Sequence, residues 1–267
     1  MASERTRSGF ADDLRAWRRR RGVSQIELAL RAGTTQRHLS FIESGRSAPG
    51  RDMVIRLAES LEVPHRERNV LLLSAGYAPA YQETRWDDHQ LNPIRTALER
   101  VLHGHQPYPA IIVDRHGDLV SANDAFRVIT HGVAAHLLAP PTNIPRLLLH
   151  PKGMAPRIVN LDEWAWHVIE GLHRQAARNP DVRLDTLIDD LTQLVPERPR
   201  HPGPDHLGFA VPLRLRTPVG ELHLLTTLSH FGTAVDVTVA ELRLEAFLPV
   251  DEATAALLNQ LAEAPSG

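Results

Sequence analysis

Between Phe10 and Gly76 apolar residues recur three and four positions apart in five short blocks, each closed by glycine or proline, which confines the segment to short packed helices. Phe10, Leu14 and Trp17 form one stripe, ended by Gly22. Ser24 stands where an N-cap belongs, with Glu27 three residues on, a capping box that opens a second helix from Gln25 to Ala32. Gly33 stops that helix. Thr34 or Thr35 caps a third, which turns Leu39 and Ile42 inward and ends near Ser44-Gly45. Beyond Pro49-Gly50, Met53, Val54, Leu57, Ala58 and Leu61 stripe a fourth helix, and Val70-Leu71-Leu72 a fifth closed by Gly76.

Two short helices joined by the tight turn Ala32-Gly33-Thr34 suit DNA reading, in which the second helix of the pair enters the major groove and the first crosses the backbone. Thr35, Gln36, Arg37 and Ser40 lie at the start or on the outward face of the third helix. Glutamine can bond adenine bidentately and arginine guanine, each worth about 1–3 kcal/mol of discrimination. Gln25 sits at a helix start, where N–H groups and the helix dipole favour a phosphate. Arg46, Arg51 and the run Arg18 to Arg21 are the remaining phosphate candidates.

Charge is divided in the same sense. Residues 1–75 carry 14 arginines against nine acidic residues, a net of +5, whereas the rest carries 16 basic and 23 acidic residues, a net of −7. Only the front part is therefore expected to touch a polyanion.

From residue 77 to 92 proline, aromatic and charged residues mix, as in a connector, and Pro93 then occupies the first position of another helix, with Ile94, Leu98, Val101 and Leu102 as its stripe. Ala110–Val113 and Leu119–Ala122 read as strands of a hairpin, followed by Asn123-Asp124 capping a helix through Ile129. Residues 131–160 show little periodicity. A long helix capped by Asn160 or Asp162 runs to about Arg178, another from Leu184 to Leu194, and a last one from Ala253 to Leu261. Phe209–Arg216, Gly220–Ser229 and Ala234–Leu248 are expected strands. The rear part is thus α+β.

The block Val23-Ser24-Gln25-x-Glu27-Leu28-Ala29, with Gly33-Thr34-Thr35-Gln36 and Ile42-Glu43-Ser44-Gly45-Arg46, resembles the Cro/C1-type (XRE family) helix-turn-helix. Across residues 10–260 the chain is similar to the MmyB-like regulators. The resemblance rests on Leu71-Leu72-Leu73-Ser74-Ala75-Gly76-Tyr77, Ala110–Asn123, Leu147-Leu148-Leu149-His150-Pro151, Arg157-Ile158-Val159-Asn160, Glu163-Trp164-Ala165, Phe231-Gly232-Thr233 and Pro249-x-Asp251-Glu252-Ala253-Thr254. It implies a helix-turn-helix DNA-binding domain (1–76), a linker (77–92) and a PAS-like ligand-binding or dimerisation domain (93–267). It also implies a fatty acid or similar apolar small molecule as effector, with no required cofactor. Phe126, Leu148, Trp164, His167, Phe209, Leu228 and Phe231 are candidates for the pocket wall, and Arg157 and Asn160 for holding a carboxylate.

The expected function is a homodimeric, cytoplasmic, nucleoid-associated transcription regulator on inverted-repeat double-stranded DNA. The alternative is a rear domain that serves only dimerisation or partner recruitment. Other classes find little support. The absence of cysteine removes disulfides, thiolate zinc sites and cysteine nucleophiles. The 15 histidines lack His-Glu-x-x-His spacing, and no Gly-x-Ser-x-Gly elbow or glycine-rich phosphate loop occurs, so neither a metal site nor catalysis is expected. No apolar run approaches the ~20 residues of a membrane span.

Overall fold

The computed structural model describes residues 9–195, 197–198, 211–231 and 234–263. The chain divides into two units, the first being Met1–Arg85 with Ala177–Asn179 and Thr233–Ala240, the second the remainder. Helices α1 (Phe10–Arg20), α2 (Gln25–Arg31), α3 (Gln36–Glu43), α4 (Arg51–Ser60) and α5 (His65–Ser74) build the first unit. Each turns one apolar stripe inward, and Leu14, Leu28, Leu39, Leu57 and Leu72 are fully buried in a single core. Burial of each such side chain is worth about 1.5–3 kcal/mol.

The turn between α2 and α3 depends on Gly33, whose φ of +63° places it in the left-handed region that costs other residues strain. Both helices are capped as the sequence predicts. Ser24 Oγ accepts the Glu27 N–H at 3.1 Å, and Thr35 Oγ1 accepts that of His38 at 3.1 Å. Replacing Ser24 or Thr35 with alanine should therefore cost about 1 kcal/mol each in a denaturant titration. No measurable loss at Thr35 would show that the start of α3 is held by other contacts.

Part of the expected connector packs within a unit. Its first half belongs to the first unit: Asn69 Oδ1 accepts from the N–H groups of Ala80 and Tyr81, the Tyr81 ring stacks on His65 at 4.2 Å, and Tyr77 Oη donates to Pro49 O. The second unit begins at Trp86.

In the second unit five antiparallel strands, β1 (Ala110–Val113), β2 (Leu119–Ala122), β3 (Leu213–Thr217), β4 (Gly220–His230) and β5 (Arg243–Pro249), lie in the order β2-β1-β5-β4-β3. Because side chains alternate along a strand, the sheet separates two cores. Ile111, Val113, Leu213, Leu215, Leu222, Leu224 and Phe247 face one side. There they meet α7 (Asp124–Ile129), α9 (Ile144–Leu149), α10 (Leu161–Arg178) and α11 (Val182–Thr192). Ala110, Ile112, Leu244 and Ala246 face the other side and meet Leu98 and Leu102 of α6 (Asn92–His103). This is the α+β, PAS-like domain expected from the sequence, closed by α13 (Glu252–Glu263).

Asn123 joins these layers. Its Oδ1 accepts from Ala110 N and Phe126 N, and its Nδ2 donates to Tyr108 O and Leu102 O, tying α6, β1 and α7 together.

The expected strand Ala234–Leu248 is corrected in its first half. Residues 237–240 form a one-turn helix, α12, because Asp236 Oδ1 accepts from Thr238 N and Val239 N. Val235, Val237, Thr238 and Val239 have strand composition, and the local cap at Asp236 overrides it. Helices α8 (Ala135–Leu138) and α9 arise where no periodicity was visible.

Candidate nucleic-acid interface and effector cleft

In the first unit α3 is sharply one-sided. Leu39 and Ile42 are buried to within 1%, while Thr35, Gln36 and Arg37 are exposed and Ser40 is half-buried on the same outward face. The Arg37 guanidinium lies 5.6 Å from the ring centre of Phe41, one turn further along. Phe41 was not singled out from sequence. Its spacing from Arg37 on the outward face is the signal that could have found it. An aromatic edge there can meet a thymine methyl while supporting the arginine above it.

Behind this face stands a buried ion pair. Glu43, only 2% exposed, accepts from Arg18 Nε at 2.6 Å, from Arg18 Nη2 at 2.9 Å and from Gln25 Nε2 at 2.8 Å. Burial pushes the Glu43 carboxyl up. The hydrogen bonds from Arg18 and Gln25, with the charges of Arg18 and Arg15, outweigh it and hold the group below the ordinary carboxylate range. Arg18 also donates to Val23 O, so three helices meet at this point.

Of the residues expected on phosphate, Arg18 bonds Glu43 and Val23 O, and Gln25 Nε2 bonds Glu43. Arg21 likewise donates to Leu61 O and Glu62 O, and Arg20 lies over Trp17 at 5.0 Å. Arg19, Arg46 and Arg51 are exposed.

In the second unit the candidate ligand residues do not converge. Phe126, Leu148 and Trp164 are core side chains on one side of the sheet, at most 5% exposed, whereas Phe231 packs on the other side. His167 is exposed, and Phe209 lies outside the described residues. Asn160 neither caps α10 with its side chain nor faces a pocket. Its Nδ2 donates to Pro212 O and its Oδ1 accepts from Arg214 N, fastening β3 to the segment before α10. Arg157 donates to Ile129 O at 2.7 Å rather than pairing with Glu163.

A cleft that sequence reasoning missed lies elsewhere in this unit, with a volume of about 360 Å³. The β1–β2 turn forms its floor. Gly117 makes that turn with φ of +82°, and a Cβ there would stand 2.8 Å from Pro145 Cδ, so the hairpin seats directly on the start of α9. Asn143 Nδ2 donates to His116 O and Asp118 Oδ1, and Ile144 N donates to Gly117 O.

Two arginine–aspartate pairs line the walls: Arg146 Nη2 on Asp190 Oδ2 at 2.7 Å, and Arg183 on Asp118. His136 and His116 add imidazoles, and Leu137, Pro141 and Leu187 add apolar surface. His116 donates to Asp181 Oδ2 at 2.7 Å. Burial pushes Asp181 up, but that bond, the Arg183 N–H and the Arg115 charge hold it below its ordinary value. No group of three or more His, Asp or Glu side chains among the described residues is placed to hold a metal ion.

Comparison with known proteins agrees with this division. Residues 14–68 match a helix-turn-helix family, and residues 94–261, more than half the chain, match the MmyB-like transcription regulator ligand binding domain. No curated protein matches. A solved structure titled "Structure of an RNA-binding Light-Oxygen-Voltage Receptor" aligns at 16% identity with a TM-score of 0.29, covering 95% of this chain and 61% of that one. That likeness is too slight to bear on fold or function.

Proposed function

The chain belongs to the MmyB-like transcription regulators, and from that premise we propose that it binds inverted-repeat DNA sequence-specifically as a homodimer, under control of a small molecule held in the second unit. It is a DNA-binding regulator. The observation that carries the sequence-specific reading is the one-sided burial of α3, with Gln36 and Arg37 exposed on a helix whose other face is fixed in the core. Gln36 reads adenine, Arg37 reads guanine, Thr35 and Ser40 support them, and Arg46 meets phosphate. Such a regulator works on the nucleoid, in the cytoplasm.

Selection of binding sites from random duplexes tests this reading. The enriched sequences should be inverted repeats with half-site centres about one helical turn apart, roughly 34–36 Å. Full affinity of a monomer for a single half-site would exclude the dimer.

The effector class implied by the family is a fatty-acid-like molecule, whose apolar body would lie in the interior of the second unit. Its entry there would require the packing around Phe126, Leu148 and Trp164 to open. Native mass spectrometry of the purified full chain should show a retained small molecule. A bare chain from several growth conditions would leave the second unit as a dimerisation or partner-recruiting module.

A further inference from the structure

The cleft between the β1–β2 turn, α9 and α11 has a definite chemical bias, visible in which of its polar groups are already engaged. Asp118 accepts from Asn143 Nδ2 at one oxygen and from Arg183 at the other. The Asn143 Oδ1 accepts from Arg146 N, and the Thr186 hydroxyl donates to Val182 O. Apart from Asp190 Oδ1, which has no partner among the described residues, the carboxylate and amide acceptors facing the cleft are thus used.

The donors are not. Arg146 commits one nitrogen to Asp190, which leaves its Nε and Nη1 without a protein partner among the described residues. Arg183 commits Nη2 to Asp118 and sets Nη1 3.3 Å from His116 Nδ1, which leaves Nε without a partner among the described residues. His136 makes only an edge contact to the His150 ring, at 6.2 Å. A site whose spare hydrogen-bonding capacity is donor and cationic takes an acceptor and an anion. Close by, burial depresses the His150 imidazole, and His136, Lys152 and Arg146 depress it further.

Leu137, Pro141 and Leu187 give the same cleft apolar flanks, and about 360 Å³ is far more room than an inorganic ion fills. We propose that this cleft binds a compact organic carboxylate, its charge on the free N–H groups of Arg146 and Arg183 and its body against Leu137 and Leu187. The assignment rests on the reading that the second unit binds an effector. It supplies both site and ligand class, away from the apolar interior.

Benzoate is the probe, with benzamide as its uncharged counterpart, titrated calorimetrically into the full chain. Benzoate should bind at least roughly tenfold more tightly than benzamide, and R146Q and R183Q should each weaken it by about tenfold. D190N, which frees the Arg146 guanidinium, should tighten it, a gain that a misfolded variant would not show. Equal affinity for benzoate and benzamide, unchanged affinity in both arginine variants, or no saturable binding up to about 10 mM would overturn the site.

Operator binding separates this from the wider reading. If benzoate binds as described and operator affinity is unmoved, the cleft stands and effector control falls. If dodecanoate shifts operator affinity equally in the wild type and the R146Q/R183Q double variant, effector control stands and the cleft is not its site.

Discussion

Arg18→Ala is expected to destabilise the first unit by about 3–5 kcal/mol, because it leaves the Glu43 carboxylate buried without its cation. The figure follows from geometry: both partners are shielded, at 13% and 2% exposure, and the arginine engages both carboxylate oxygens. Exposed arginines one or two positions away should matter far less, within the range of ordinary surface changes. Replacing both partners by apolar residues, Arg18→Met with Glu43→Leu, should recover most of the loss, since the cost is an unpaired charge rather than a missing attraction.

The pH dependence gives a second, independent check with opposite signs in the two proteins. In the wild type the folded-state pKa of Glu43 is depressed. Its contribution is fully present above the unfolded value of about 4.3 and is lost as pH falls through the folded one. In Arg18→Ala the largest remaining influence is burial, which raises the carboxyl. Folding then takes up a proton, so acidification should stabilise the variant relative to neutral pH and narrow its gap to the wild type. Denaturant titrations at several pH values measure this directly. A gap that stays constant down to pH 3 would mean that Glu43 is not the group left unpaired.

Arg18 also shows where sequence reading stops. Four consecutive arginines look equivalent in the chain, but each step along a helix turns the side chain by about 100°. Arg18 is thereby delivered to Glu43, Arg20 to the face of Trp17, and Arg21 to the carbonyls ending α4. Among the described residues, only Arg19 of the four is exposed without a side-chain partner. The helices themselves were legible because each is half-buried, and half-burial writes a stripe. Helix α9 was not, since Ile144, Pro145, Leu147, Leu148 and Leu149 are all buried and Arg146 alone is too little of a polar face to mark its period.

The second unit was legible in its strands and illegible in its site for a related reason. Hydrophobic residues announce a core, but not which of two cores. Phe126 and Phe231 lie on opposite sides of one sheet, a difference set by register and connection rather than by local pattern. The cleft is less visible still. Arg146 and Arg183 are far apart in the chain and meet only because α9 packs beside α11. Asp114 serves the turn by accepting from His116 N and Asp118 N. Asp118 itself reaches out of the turn to Arg183 and Asn143.

On the proposed reading, Arg37→Ala should reduce preference for the base it reads by about 1–3 kcal/mol, roughly 5- to 150-fold, while leaving affinity for unrelated DNA nearly unchanged. Among the described residues Arg37 has no ion-pair partner to lose, and it stands over Phe41, so its removal should not unfold α3. Phe41→Ala should loosen the same position more mildly by withdrawing that support. Arg46→Ala is the contrasting case. It should weaken all sequences alike and lower the dependence of log affinity on log salt by about one contact's worth, since a phosphate contact carries no base information. Competition binding against operators changed one base pair at a time, repeated over a range of salt, separates the two effects. If Arg37→Ala lowers affinity uniformly and reduces the salt slope, Arg37 lies on the backbone, and the base-reading face of α3 must be redrawn around Gln36 and Ser40.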